Sequence, residues 1–255
     1  MFLAEGPQAV REALGHPAEP GQPGRAGSIR ELFVTVAARS RYADLIAAVA
    51  RAGAPVHEIS GELMAELAQT VTPQGLLAVC PFVDVPLAQL ISTAPRLVVL
   101  LANVRDPGNA GTVLRTADAA GADGVIFAGA SVDPYNSKCV RSSAGSLFHL
   151  PLVLGVQVHD AAAALRDAGL WVLAADGGAT IGLDDPDLAG RLARPTAWLF
   201  GNEAWGLPAD LIALADDAVA VPIYGRAESL NLAAAAAVCL YASARAQQGG
   251  AAQYR

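Results

Sequence analysis

Apolar residues in the second half of the chain come in short unbroken runs. Leu97 to Leu101 reads LVVLL and Ala197 to Phe200 reads AWLF, and similar runs recur at Gly124 to Phe127, Leu150 to Leu154, Trp171 to Ala174 and Ala218 to Ile223. A strand with one face in water alternates apolar and polar residues. Successive apolar positions instead mark strands covered on both faces, the condition of a mainly parallel sheet between layers of helices. Most of the stretches between the runs are helix-compatible, so an α/β domain is expected here. Before residue 80 the pattern switches between periods. It predicts a helix over Pro7 to Leu14, a strand over Leu32 to Val36, a helix over Tyr42 to Ala52 and a strand over Val56 to Ile59. A helix near Glu62 to Ala68 and a strand over Leu76 to Val79 follow. Between the first helix and the first of these strands, HPAEPGQPGRAGS (His16 to Ser28) reads as a surface loop. The stretch PFVDVPLAQLISTAP, Pro81 to Pro95, loses period and carries three prolines, as a domain boundary does. The expected division is residues 1–82, a linker over 83–95, and a second domain over 96–255. No fixed-period repeat is present.

Composition adds bounds. With 255 residues and 53% hydrophobic letters the chain can bury a sizeable core, in one or two domains. No apolar run approaches the roughly 18–20 residues that span a bilayer, and Glu5 interrupts the start where a signal peptide is basic and then apolar, so a cytoplasmic protein with no membrane partner is expected. Cys80, Cys139 and Cys239 lack CxxC spacing and read as reduced, buried thiols. His16, His57, His149 and His159 form no HxxxH or HExxH pattern, so no metal is expected. A formal charge of −7 argues against coating nucleic acid non-specifically, which depends on many phosphate contacts, but leaves room for a local RNA site.

Three segments carry candidate chemistry. NVRDPGNAGTVLRTADAAGAD, from Asn103, follows a buried strand and runs into a helix. Asp106, Pro107 and Gly108 supply a tight turn, Asn109 is suited to cap the helix, and Gly111 keeps its first turn free of bulk. Arg115 lies six residues on, about 120° around the helix and about 9 Å along it, so both residues can border one cleft. WLFGNEAWGLP, from Trp198, is a buried strand followed by a loop with Gly201, Gly206 and the acid Glu203. That is the place where ligands sit in open α/β sheets. VPIYGRAESLNLAAAAAVCLYASAR, from Val221, is a strand, a tight loop and an alanine-rich helix, with Ser229 as a suitable cap and Asn231 beside it.

In this order and at these spacings, NxGxxxRTAxAxG, GNExxGLP and VPIxGxxxSLNxxxA resemble the three signature motifs of SpoU (TrmH) methyltransferases of the SPOUT superfamily. The segment from FLAEGPQAVREAL to VTPQGLLAV is similar to the ribosomal-protein-like RNA substrate-binding domain of many members, so the resemblance covers nearly the whole chain. It implies a C-terminal parallel sheet with a deep trefoil knot and a small N-terminal α/β RNA-binding domain. It implies S-adenosyl-L-methionine as cofactor, contacted near Gly201, Val221, Ile223, Leu230 and Leu232, and a homodimer that shares active-site residues across its interface. It also implies Asn109, Arg115, Glu203, Ser229 and Asn231 as the catalytic set, acting on the 2′-hydroxyl of an RNA ribose. A guanidinium holds its proton to above about pH 12 and makes a poor base, so for Arg115 a phosphate-orienting and alkoxide-stabilising role is expected. Arg30, Arg39, Arg41, Arg105 and Arg141 are candidates for a positive path.

The extra N-terminal domain favours ribosomal RNA of the large subunit over tRNA as substrate. A non-catalytic RNA-binding or ribosome-assembly factor of the same fold would not need the intact Asn109, Arg115, Ser229 and Asn231. A nicotinamide-dependent enzyme would want GxGxxG after its first strand, and NVRDPGNAG does not supply it.

Overall fold

The computed structural model describes residues 1–15, 29–68, 70 and 72–249. The proline- and glycine-rich loop expected over His16 to Ser28 lies outside the described residues.

The N-terminal sheet comprises β1 (Phe2–Glu5), β2 (Glu31–Thr35), β3 (Val56–Ile59) and β4 (Leu76–Cys80), in the order β1-β4-β2-β3. β2 is parallel to β3, and β4 is antiparallel to both β1 and β2. Helices α1 (Pro7–Leu14), α2 (Val36–Arg41), α3 (Ala43–Arg51) and α4 (Gly61–Ala68) connect and cover these strands. Helix α1 has Pro7 in its first turn, where a missing N–H costs nothing, and buries Ala9, Val10 and Ala13 along one stripe. β1 has no counterpart in the sequence reading. Val36, read as strand, instead opens α2, since Thr35 turns the chain by accepting a hydrogen bond from the Ala38 amide.

The segment over 83–95 is more structured than its prolines suggest. Helix α5 (Leu87–Ser92) lies inside it, and its Leu90 is buried in the core of the second sheet. Asp84 pairs with Leu152 as a parallel bridge, and the Val85 amide donates to the Leu152 carbonyl at 2.8 Å. The Tyr135 hydroxyl accepts from the Val83 and Asp84 amides and donates to the Asp84 carboxylate at 2.7 Å. Six helical residues bounded by Pro86 and Ala94 (φ +50°) give too short a run for a helical period to emerge.

The second sheet is seven-stranded and parallel. It contains β5 (Leu97–Ala102), β6 (Gly124–Ala128), β7 (Leu152–Val156), β8 (Trp171–Ala175), β9 (Ile181–Gly182), β10 (Thr196–Phe200) and β11 (Asp217–Ala220), in the order β7-β6-β5-β10-β8-β11-β9. Every residue of β5, β6 and β10 is buried, as their unbroken apolar runs require. Helices α6 (Pro107–Ala119), α7 (Ser137–Ser142), α8 (Val158–Asp167), α9 (Pro186–Arg191), α10 (Ala209–Ile212) and α11 (Leu232–Gln247) cover the sheet. β10 fills the slot between β5 and β8, pairing Phe200 with Leu101 and Leu199 with Ala174. The carboxyl ends of β5, β8, β10 and β11 therefore meet at one edge.

One apolar core runs through both sheets. Phe2 of β1 packs against Tyr135 and Phe148, with ring centroids 4.7 and 5.8 Å away. Polar ties reinforce the contact. The Arg141 guanidinium sits 3.5 Å from the enclosed Glu5 carboxylate and donates to the Ala68 carbonyl. His149 contacts Asp118 of α6 through Nδ1 (2.8 Å) and Glu12 of α1 through Nε2 (3.0 Å). The Asp118 hydrogen bond raises its pKa to about 9, against the opposing effect of burial and with a further contribution from Glu12.

A folded-state pKa raised above the ordinary histidine value of about 6.5 means that protonation favours the folded chain. The gain is full below about pH 6.5 and is lost as pH rises through about 9. Because the imidazole is 41% exposed, screening holds that gain to about 1 kcal/mol or less. His149→Ala is expected to lower the melting temperature by roughly 2–4 °C at pH 6, with the difference from the parent chain vanishing near pH 10, measured by scanning calorimetry across the pH range.

Candidate functional site

At the carboxyl edge of the second sheet, loops after β5, β8, β10 and β11 converge. The turn after β5 is set by Asn103, which takes a left-handed φ of +58° while its side-chain carbonyl accepts from the Ala130 amide at 2.9 Å. Asp106, rather than the expected Asn109, caps α6, its Oδ1 accepting from the Asn109 amide at 2.7 Å. Its Oδ2 meets Lys138 of α7 at 2.8 Å, and that hydrogen bond is the main cause holding the Asp106 carboxyl below its ordinary pKa. Capping needs an acceptor one residue before Pro107, and Asn109, already inside the first turn, is freed to face outward. Gly111 has a packing reason: a Cβ there would lie 2.4 Å from the Cys139 carbonyl oxygen of α7.

After β10 the chain folds back on itself. Asn202 and Gly206 exchange two backbone hydrogen bonds, and the Asn202 side chain, itself buried, donates to the Asn103 carbonyl at 2.8 Å and accepts from the Ala204 amide. A Cβ on Gly201 would stand 2.3 Å from the Gly206 carbonyl oxygen, so the fold-back admits only glycine at that position. Gly206 takes φ +68° to close the turn.

Glu203 and two asparagines then tie three separated segments together. The Glu203 carboxylate accepts from the amides of Arg105 and Asp106, both at 3.1 Å, and from the Asn109 side-chain amide at 3.3 Å. The Asn109 side-chain carbonyl accepts from the Asn231 side-chain amide at 3.0 Å. Asn231, not Ser229, caps α11, its Oδ1 accepting from the Ala233 amide at 2.9 Å. Motif one, motif two and motif three are therefore joined through Glu203, Asn109 and Asn231 in series.

The loops enclose a cavity of about 480 Å³, inside the roughly 300–1,000 Å³ range of small-molecule sites. Gly201, Val221, Ile223, Leu230 and Leu232, the five expected cofactor contacts, all line it, together with Glu203, Ser229 and Asn231. Ala175 at the end of β8, and Asp176 and Gly177 after it, also line the cavity and were missed by the sequence reading. Their signal was present in AADGGA, a strand end followed by two glycines. From Val221 to Leu230 the backbone groups form no hydrogen bond with other described residues, leaving N–H and C=O groups open to a ligand. The three cysteines are buried and free, and burial pushes each thiol up to about 12, so none is a ready nucleophile. Among the described residues no group of three or more His, Cys, Asp or Glu side chains could hold a metal ion, and no helix is long and apolar enough to cross a membrane.

Asn109 and Arg115 are not among the cavity-lining residues. Asn109 reaches the site through the Glu203 and Asn231 contacts, whereas Arg115 is exposed on α6 and its side chain makes no hydrogen bond or ion pair with another described residue. Of the arginines considered for a positive path, Arg141 is engaged with Glu5 and Ala68, Arg39 pairs with Glu58 at 3.0 Å, and Arg41 lies over the Tyr42 ring. Arg30 and Arg105 are exposed. Removing the shared acceptor is expected to loosen the junction: Glu203→Ala should cost about 1–2 kcal/mol in urea unfolding, and Glu203→Gln, which keeps one acceptor oxygen, less.

Residues 96–241 match the model of the SpoU rRNA Methylase family, and residues 3–85 match the RNA 2′-O ribose methyltransferase substrate binding model. The chain is 35% identical over 243 residues to the 23S rRNA (guanosine(2553)-2′-O)-methyltransferase RlmP of Bacillus subtilis, covering 94% of this chain and 87% of that protein. Its structure is similar to the SpoU methyltransferase AviRb from Streptomyces viridochromogenes in complex with AdoMet, with a TM-score of 0.77, 32% identity and coverage of 98% and 91%. A structure described for 2-OH methylation of C/U34 on tRNA matches less of it, with a TM-score of 0.50 and 29% identity over 61% of this chain and 99% of the other. With its two matched segments spanning most of its length and its loops closed by motif residues, the chain belongs to the SpoU rRNA methylase family.

Proposed function

We propose that this protein transfers a methyl group from S-adenosyl-L-methionine to the 2′-hydroxyl of a ribose in large-subunit ribosomal RNA. The observation that carries the reading is the cavity at the carboxyl edge of the sheet, walled by loops that Glu203, Asn109 and Asn231 hold together. The residues present fit the cofactor. Open backbone groups over Val221 to Leu230 can pair with a purine edge, Leu230 and Leu232 give it an apolar wall, and Gly201 lets the backbone approach closely. When bound there, the cofactor supplies a methyl group made electrophilic by a sulfonium.

The remaining chemistry falls to the chain. Asn109, Glu203 and Asn231 are engaged with one another, so they are positioning residues that fix the loops. Ser229 lines the cavity with its hydroxyl exposed and is placed to bond the ribose. Arg115 orients a phosphate and stabilises alkoxide charge developing on the attacking oxygen, an electrostatic and positioning role without metal or covalent intermediate.

Arg115 reaches that oxygen from a second subunit. On α11, Val238 and Tyr241 are exposed, and the Tyr241 hydroxyl donates to the Ala119 carbonyl of α6 at 3.4 Å. Arg115 lies one helical turn before Ala119, on the same side of α6. A homodimer through this apolar face would deliver Arg115 to its mate. The family's knotted topology is part of the same reading: β10 occupies the centre of the sheet, and α11, which follows β11, returns to pack on α6 and β10, with the Trp198 indole donating to Ser243 at 2.9 Å.

Ribosomal RNA is favoured over tRNA because the likeness to the 23S rRNA enzyme covers 94% of this chain, whereas the structure described for tRNA methylation covers 61% of it. The cytoplasm, where ribosomal RNA is available, is the expected location. Arg115→Ala is expected to abolish methyl transfer to 23S rRNA while calorimetry still shows cofactor binding. Heterodimers of Arg115→Ala with Gly201→Ala should regain transfer, since one composite site is intact. Near-normal turnover by Arg115→Ala refutes its role. Mapping ribose methylation in cells with and without the gene identifies the nucleotide; an unchanged 23S rRNA map refutes the substrate.

A further inference from the structure

Four of the exposed large apolar side chains lie on the two loops that wall the cavity. Ile223 and Leu230 line the cavity, Trp205 stands between the lining residues Ala204 and Gly206, and Tyr224 follows Ile223. Trp205 is 61% exposed, although Trp171 and Trp198 are buried. Its loop is not slack. The paired hydrogen bonds of Asn202 and Gly206, the Asn202 side chain and the Glu203 carboxylate fix the residues on either side of it. Tyr224, 86% exposed, is held by its hydroxyl donating to Asp184 at 3.1 Å. Arg226, two residues on, is exposed and forms no ion pair with another described residue.

An exposed indole on a hydrogen-bonded loop beside the cavity loses little backbone freedom when something flat covers it. Single-stranded RNA is recognised by bases stacked on aromatic side chains, with a guanidinium nearby for phosphate. We propose that Trp205 is a positioning residue that stacks on a base of the RNA strand entering the cavity, with Tyr224 as a second aromatic surface and Arg226 as a phosphate contact. The inference rests on the RNA-methylating reading of this cavity. A second copy of the chain is the less favoured occupant, because Val238 and Tyr241, exposed on α11 where it packs on α6, provide a separate face for it.

Trp205 is the exposed tryptophan among three, so a change of emission on RNA binding falls chiefly on it, with Trp171 and Trp198 as the buried baseline. Titrating the full chain with in-vitro transcribed 23S rRNA should quench and shift tryptophan emission in the parent protein and leave Trp205→Phe nearly silent. Base stacking of this kind predicts a roughly five- to hundredfold rise in KM for that RNA in Trp205→Ala. Little change in kcat at saturation and unchanged cofactor binding by calorimetry should accompany it, and Trp205→Phe should recover most of the KM loss. Unchanged emission together with an unchanged KM overturns the proposal. So does a Trp205→Ala chain that changes sedimentation from dimer to monomer, which assigns the indole to a subunit interface. Quenching without methyl transfer by the parent protein would leave the stacking intact and remove the reaction.

Discussion

The site depends on one carboxylate. Glu203 lies on the loop after β10, yet it accepts hydrogen bonds from two backbone amides in the loop after β5 and from the Asn109 side chain, which in turn is bonded to the cap of α11. None of these three loops is fixed by local structure alone, and each would otherwise pay its own ordering entropy. Joined in series, they form one wall around the cavity. The most acidic-looking member of the motif set therefore acts as an anchor for neighbouring backbone, which explains why Glu203 is largely committed before any ligand arrives.

The sheet makes that junction possible. β10 enters the sheet between β5 and β8, so the loop that carries Glu203 emerges beside the start of α6. A buried parallel strand has no solvent face along which to slip, and its register is fixed by burial on both sides. The close packing of α6 on α7 at Gly111, and of the Gly201 backbone on Gly206 and Leu207, removes the remaining play. The geometry follows from apolar burial below and a short hydrogen-bond series above.

Most of the fold and the cavity wall could be read from the letters. Unbroken runs such as LVVLL and AWLF marked the two-sided strands, and Gly201, Val221, Ile223, Leu230 and Leu232 all reach the cavity. What escaped depends on partners distant in sequence. Asp106 takes the cap expected of Asn109, and Asn231 the cap expected of Ser229, because which acceptor lies one residue before a helix depends on where the helix starts. The short helix α5 escaped for want of a period. Arg141 read as a surface cation, but the N-terminal sheet packs Glu5 against it, a contact between residues 136 positions apart in the chain. Arg115, central to the motif resemblance, stays outside the cavity, which is why we propose that it acts on the site of a second copy.

The central claim is that the open backbone between Val221 and Leu230, closed off by the Glu203 junction, is where the methyl donor sits. Hydrogen–deuterium exchange of the chain with and without S-adenosyl-L-methionine tests it most directly, because those amides carry no hydrogen bond to another described residue that would protect them. The account predicts that the cofactor slows exchange in segments 201–207 and 221–232 and leaves the N-terminal sheet unchanged. Protection confined to other segments, or no protection at saturating cofactor, would contradict it.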